Sequence, residues 1–346
     1  MTVYTIDPTK DERWGDLLQK HPAASVFHTP DWLEALRRTY SYDPVAFTTS
    51  PPDHPLTNGI PFCGISSWLS GRRLVSLPFS DHCVPLAEGS EQLTGLLASL
   101  RDSLDRSRWN SVEIRPADSY FLGSEGFEQS NVFFLHKLDL RPQLDEIFRN
   151  LHRDCVQRKI HRATREKLTH EDGRSERLLT QFHCLSVMTR RRHGLPPQPL
   201  AWFRNLIMCL GDKVRIRIAS KDGRPIAGIL TLDYKQTIVY KYGCSDDRFK
   251  QLGGIQMLLW KAIVDAKTDQ RSELDMGRSD CDNDGLVTFK DRWGTTRTRL
   301  VYLRYPHMRF HSLRDATRDR ISRRIFACMP DRLLSATGRA LYKYMG

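Results

Sequence analysis

The sequence predicts an α/β chain, with α+β mixed sheets in two halves and a basic helical tail, on three observations. Strand-like segments alternate with amphipathic helices through both halves. Hydrophobic residues make up 40% of the 346, enough for two cores. Near residue 145 the pattern turns helical and basic before strands resume, which divides the chain into 1–145, 146–305 and a tail, 306–346.

In the first half, Val3 to Ile6 reads as a strand and Glu12 to Gln19 as a helix. Thr29-Pro30 is an N-cap followed by a first-turn proline, and Trp32, Leu33 and Leu36 form the apolar face of the helix they open. Pro44 to Thr48, Ile60 to Trp68 and Arg73 to Leu77 are strand-like, with the Pro and Asn-Gly cluster of Pro51 to Gly59 as a turn. A helix at Glu91 to Arg106 and strands at Ser111 to Arg115 and Asn131 to Leu138 complete this half.

The second half opens with a basic helical stretch, Leu144 to Lys167. Ser175 to Arg191 is a helix halted by His193-Gly-Leu-Pro-Pro, and Leu200 to Leu210 is another. Val214 to Ser220 and Ile226 to Asp233 form a hairpin about Asp222-Gly223, and Thr237 to Tyr242 is a third strand. Gly253-Gly254 opens a helix with one apolar face, Ile255, Leu258, Leu259, Ala262, Ile263 and Ala266, before a strand at Glu273 to Met276.

The net charge of +12 is uneven. Between Pro306 and Gly346 nine basic residues (Arg309, Arg314, Arg318, Arg320, Arg323, Arg324, Arg332, Arg339, Lys343) face three acidic ones (Asp315, Asp319, Asp331). A second cluster runs through Arg149, Arg153, Arg158, Lys159, Arg162, Arg165 and Lys167. Each is either a solvated helix face or a surface for phosphate-bearing partners: a nucleotide-linked donor or acceptor, tRNA, or anionic lipid. The tail's Ile321, Ile325, Phe326, Leu333, Leu334, Leu341 and Tyr342 either pack on the second domain or lie on a membrane surface.

The eight cysteines include no Cys-x-x-Cys pair, so no structural zinc is expected. The opening Met-Thr-Val-Tyr-Thr-Ile-Asp-Pro has neither a basic start nor an apolar run, and no stretch reaches the ~20 apolar residues of a membrane span. A reducing cytosol, with at most peripheral membrane contact, is the expected setting.

Acyl transfer to an amine needs no covalent nucleophile. It needs a held neutral amine, a stabilised oxyanion and an anchor for the donor's phosphates. Gly253-Gly254 before a helix leaves free N–H groups at the positive end of a helix dipole, either a plain turn or a pyrophosphate site. In Asp275-Met-Gly-Arg278-Ser279 and the following Asp282 to Gly294, a carboxylate or Asn283 caps a short helix whose inward face is Leu286, Phe289 and Trp293. Lys290 and Arg292 then project from other sides, as surface charge or as cations for an oxyanion or phosphate. In Leu77-Pro-Phe-Ser80-Asp81-His82 adjacent residues point different ways and make no triad, so Asp81 is a turn cap or an acceptor contact. His193 is a helix end or a cleft residue. Asp81, Asp275 and His193 are the candidates for a base.

Taken in order, Ser25-Val-Phe-His-Thr-Pro-Asp-Trp-Leu, Pro78-Phe-Ser-Asp81, Arg158-Lys159-Ile-His-Arg-Ala-Thr-Arg-Glu, His193-Gly-Leu-Pro-Pro and Pro225-Ile-Ala-Gly resemble the Fem-like branch of the GNAT superfamily. Tyr240-Lys-Tyr-Gly, Leu258-Leu-Trp260-Lys-Ala-Ile, Asp275-Met-Gly-Arg-Ser and Gly285-Leu-Val-Thr-Phe-Lys-Asp-Arg-Trp-Gly294 continue the resemblance, which spans roughly residues 25 to 305. It implies two GNAT-like domains in tandem and an N-acyltransferase. The donor would be acyl-CoA, a carrier protein or aminoacyl-tRNA, and no metal is implied. The acceptor would be an amine, of an amino sugar or of a cell-envelope or polysaccharide precursor, phosphate- or lipid-linked.

By the same resemblance Phe289 and Lys290 serve the donor, with Lys290 as oxyanion stabiliser, and Asp81 contacts the acceptor. Gly253, Gly254 and Arg292 join the donor set. Arg158, Lys159, Arg162, His193 and Arg278 face the acceptor. Lys250-Gln-Leu-Gly253-Gly254-Ile255 matches the acyl-CoA loop of ordinary GNAT enzymes only in part, which keeps a tRNA-dependent aminoacyl ligase open. A reading from another class, a non-catalytic module for anionic partners, also stands. No stable DNA partner is expected.

Overall fold

Helices start where a side chain satisfies the free N–H groups of a first turn. In the computed structural model, which describes residues 2–67, 71–105, 109–116, 126–305 and 325–344, Asp11 caps α1 (Glu12–Lys20). Thr29 caps α2 (Pro30–Tyr40), its hydroxyl accepting from the Trp32 N–H at 3.3 Å. Trp68 and Arg106, expected to end a strand and a helix, lie outside the described residues, as do Arg309, Arg314, Arg318, Arg320, Ile321, Arg323 and Arg324 of the tail.

The chain divides into two units. The first holds residues up to Phe134, the described residues from Arg299 to Tyr305, and those from Leu341. Its strands are β1 (Tyr4–Ile6), β2 (Asp43–Thr48), β3 (Ile60–Ser67), β4 (Gly71–Ser76), β5 (Ser111–Ile114) and the end of β12 (Thr296–Tyr305), in that spatial order. All neighbours pair antiparallel except β4 and β5, which are parallel because α3 (Gly89–Asp105) is the crossover between them. Phe62, Leu74, Leu97, Leu100, Ile114 and Leu303 meet in its core.

The second unit runs from Leu135 to Thr298 and takes in the described residues 325 to 340. The end of β6 (Glu128–Asp139) leads into it. Its strands β7 (Thr169–Gly173), β8 (Val214–Lys221), β9 (Arg224–Tyr234), β10 (Thr237–Ser245) and β11 (Glu273–Asp280) lie in the order β11-β10-β9-β8-β7. The strand β9 is buried on both faces. Ala227 and Ile229 share a core with Leu258, Leu259 and Ile263 of α8 (Gly254–Thr268). Gly228 faces the other way, where an added Cβ would lie 3.1 Å from Phe182 of α6 (Glu176–Arg192). The helix α7 is Leu200–Leu210, as the apolar spacing predicts.

One expectation is corrected, and two strands are new. The stretch 144–167 is not one helix but α4 (Leu144–Asn150), a π-type turn at Arg153–Gln157 and α5 (Arg158–Arg165). The break comes from His152, whose Nδ1 accepts from the N–H groups of Asp154 and Cys155. The strands β7 and β12 were not anticipated: Thr-His-Glu-Asp-Gly offers no apolar alternation, and in β12 the apolar Leu300-Val-Tyr-Leu303 follows a polar Thr296-Arg-Thr-Arg. By its contacts the chain divides at Phe134, and residues 299–305 group with the first unit, where β12 pairs with β5. Among the described residues no helix is long and apolar enough to cross a membrane.

Candidate functional site

In the second unit β10 and β11 are parallel, but their pairing covers only Thr237 to Val239 against Glu273 to Asp275. Both continue, β10 to Ser245 and β11 to Asp280. Two local features accompany the parting. A bulge in β10 falls between Tyr240 and Tyr242, and Gly277 in β11 has φ of 72°. Asp275, buried, accepts from the Gly277 N–H at 2.7 Å, which holds that turn of the strand.

Beside the end of β10, α8 begins. Its N-cap is Gly253, left-handed at φ 82°, which brings no side chain to cap the first-turn N–H groups. Gly254, Ile255 and Gln256 line a cavity of about 170 Å3, whose wall also carries Phe249, Phe289, Lys159 and Lys250. The Lys250 ammonium reaches Asp247 at 3.3 Å, whereas Lys159 makes no ion pair among the described residues. Free N–H groups, the helix dipole and two lysines form a setting for phosphate oxygens. The glycines also serve packing: a Cβ on Gly253 would lie 2.2 Å from the Lys159 carbonyl oxygen, and one on Gly254 2.9 Å from the Ala227 Cβ.

The short helix α9 (Asp284–Asp291) is capped by Asn283, which accepts from the Leu286 N–H at 3.1 Å. Its inward face differs from the expected one. Val287 and Lys290 are the buried positions, Leu286 and Phe289 are half-buried, and Trp293 is buried just beyond the helix end. The reason lies in β11. The Lys290 ammonium donates to the carbonyls of Gly277 at 2.9 Å and Arg278 at 2.7 Å, so those acceptors draw the cation inward and leave the side chain 3% exposed. Arg292 is exposed, its carbonyl accepting from the His152 N–H.

His136, on β6, was not singled out in the sequence. It is fully buried, with Nδ1 3.3 Å from Asp291 and 3.5 Å from the Thr295 hydroxyl, which itself donates to the Lys290 carbonyl. Burial and the nearby Lys290 cation push His136 down to about 4, so the ring is neutral at pH 7. Nothing in Phe134-Leu-His136-Lys flags this, because the partner charges come from α9.

Of the other candidates, Arg158 pairs with Asp154 at 2.8 Å and Arg162 with Glu166 at 3.6 Å, both within their own helical stretch. Only Lys159 of the three enters the cavity wall. Arg278 is half-buried at the end of β11. His193 is exposed where α6 stops: the Gly194 and Leu195 N–H groups close the last turn on Arg191 and Arg190, with Gly194 at φ 63°.

Asp81 belongs to the first unit and is half-buried. Its loop is held by groups the sequence reading did not pick out. Arg115 donates to the Leu77 carbonyl at 2.8 Å, the Ser80 hydroxyl to that same carbonyl at 2.7 Å, and the Tyr302 hydroxyl to the Asp81 carbonyl at 2.6 Å. Arg115 also pairs with Glu113 at 2.8 Å. Burial alone would push Glu113 up, but Arg115 and Arg304 hold it below the usual carboxylate range.

Residues 150–291 match the acetyltransferase (GNAT) domain family. No curated protein matches the chain. Among solved structures, FemX is similar over 93% of this chain and 100% of its own, with a TM-score of 0.71 at 15% identity. The L-PGS of Bacillus licheniformis is similar over 92% and 97%, at 0.54 and 14% identity. A tandem GNAT protein from the clavulanic acid biosynthesis pathway is similar over 87% and 98%, at 0.54 and 12% identity. The shared property is the fold, two GNAT-like folds in tandem.

Proposed function

We propose that this chain, whose residues 150–291 match the GNAT domain family and whose fold is similar to that of FemX, is an acyltransferase of the Fem-like kind that moves an acyl or acetyl group from a phosphate-bearing thioester to an amine. Acyl-CoA or an acyl carrier protein is the donor. The acceptor is an amino sugar or another cell-envelope or polysaccharide precursor, phosphate- or lipid-linked. The observation that carries this reading is the cavity at the start of α8, where uncapped N–H groups meet Lys159 and Lys250.

In this reading Lys159, expected on the acceptor side, instead joins Lys250 and the Gly254 end of α8 against the donor's phosphates, with Phe289 beside them. The neutral amine attacks the thioester carbonyl and forms the carbon–nitrogen bond, the carbon–sulfur bond breaks as the thiolate leaves, and the proton lost by the nitrogen ends on the sulfur. Lys290 supplies the positive charge for the tetrahedral oxyanion, and the Gly277 and Arg278 carbonyls hold it in place beforehand. Asp81 is the acceptor contact, on a loop that Arg115 and Tyr302 keep rigid. Arg278 and His193 are assigned to the acceptor's phosphate side.

Aminoacyl-tRNA is the second reading, favoured by Arg158 and Arg162 on the helix that carries Lys159. Those arginines already have carboxylate partners, which favours a compact anion over an extended one. A transfer assay with acetyl-CoA and amino-sugar acceptors tests the proposal. Acetyl-CoA should support turnover, and Asp81→Asn should raise the acceptor KM at least tenfold with donor binding intact. Turnover only with charged tRNA would replace the thioester reading, and no turnover with either donor would leave the non-catalytic one.

A further inference from the structure

The helix at Asp331–Tyr342 turns Leu334, Gly338 and Tyr342, spaced by four, into the protein. Its opposite stripe is Leu333, Ala336 and Ala340 and continues past the helix end to Tyr344, with Arg339 and Lys343 alongside, all exposed. An ordinary surface helix presents polar side chains there. Here Leu333 is 59% exposed and Tyr344 38%, and Ile325, just upstream, 54%. These are three of the four exposed large hydrophobic residues among the described residues. From Leu333 to Gly346 the only charged residues are Arg339 and Lys343, and neither makes an ion pair with a described residue.

We infer that this face docks on an anionic lipid surface. Leu333, Ile325 and Tyr344 enter the headgroup boundary while Arg339 and Lys343 meet lipid phosphates. Two properties select lipid over nucleic acid. RNA phosphates are met by cations, and they give exposed Leu333 and Ile325 nothing to cover them. A bilayer satisfies both halves of the stripe. The inference does not depend on the donor, and it places the protein beside lipid-linked amines.

Sedimentation of the full chain with vesicles tests it, using phosphatidylcholine alone or with roughly a third phosphatidylglycerol. At about 0.1 M salt the protein should pellet with the mixed vesicles and stay behind with the neutral ones. Leu333→Glu, and separately Arg339→Glu with Lys343→Glu, should each weaken binding by roughly tenfold. Thermal melts should be unchanged, and Ile325→Glu gives a second apolar probe. Three results would overturn it: a wild-type protein that ignores the mixed vesicles, binding indifferent to both Leu333→Glu and Ile325→Glu, or variants that lose tRNA binding while vesicle binding persists.

Discussion

Buried and open cations in this protein behave as two populations. Arg115 and Lys290 are buried, and both spend hydrogen bonds on backbone carbonyls, Leu77 for the first, Gly277 and Arg278 for the second. Lys159 and Lys250 line the wall of a cavity; the second has one carboxylate partner and the first none among the described residues. A buried charge must be satisfied by the protein itself, so its removal is felt in stability. A charge on a cavity wall keeps water as its partner until an anion arrives, so its removal is felt in binding. The contrast separates residues that build the site from residues that hold the ligand.

The largest effect should come from Arg115→Met. It leaves Glu113 with Arg304 as its one remaining ion-pair partner among the described residues and frees the loop before Asp81, and a denaturant titration should show a loss of roughly 3–5 kcal/mol. A loss below ~1 kcal/mol would mean that Arg115 is no clamp. Lys290→Met leaves two buried carbonyls without their donor, at a cost of roughly 2–4 kcal/mol. In the protein that remains folded, kcat should fall about 10²–10³-fold with the donor KM unchanged. Stability lost without kcat would make Lys290 purely structural.

Two of the buried histidines sharpen the same contrast, since burial pushes both His136 and His28, which lies just before α2 with its ring against the Val84 carbonyl, down to about 4. Unfolded histidine takes up a proton below about 6.5, whereas these do so only near 4, so the unfolded chain binds more protons between those values. Stability is therefore full above pH 6.5 and drains away as pH falls toward 4, by up to about 3 kcal/mol per residue. His136→Gln should flatten part of that slope in melts across the range. A slope unchanged by the substitution would remove His136 from the account.

Smaller again is Gly254→Ala, whose methyl group would meet Ala227 at 2.9 Å. It should cost about 1–3 kcal/mol by overpacking. Loss of donor binding in that variant would therefore report packing as well as phosphate contact, which makes the lysines better probes.

Much of the fold was legible because periodicity and caps speak locally. The apolar stripe of α8, the Thr29-Pro30 start of α2 and the turn at Asp222-Gly223 each need only a few neighbouring residues. The strand β7 was not legible, since the sheet neighbour that makes its polar segment a strand lies far along the chain, whereas β12 carries a legible apolar run, Leu300 to Leu303, behind a polar start. The candidate site followed the same division. Gly254 and Phe289 were expected near a donor and do line the cavity. The inward turn of Lys290 was hidden because the carbonyls that draw it belong to β11, and helical spacing cannot count them. His136 and Arg115 were hidden for the same reason, their partners being distant in sequence.

The most direct test of the central claim is calorimetric titration of acetyl-CoA into the wild-type protein, Lys159→Glu and Lys290→Met. Binding to the wild type should be saturable and weakened about tenfold or more in Lys159→Glu, where a favourable cation at the helix start becomes a repelling anion. Lys290→Met, where folded, should bind as the wild type does. Absent binding to the wild type, or binding indifferent to Lys159→Glu, would contradict the placement of the donor's phosphates at the start of α8.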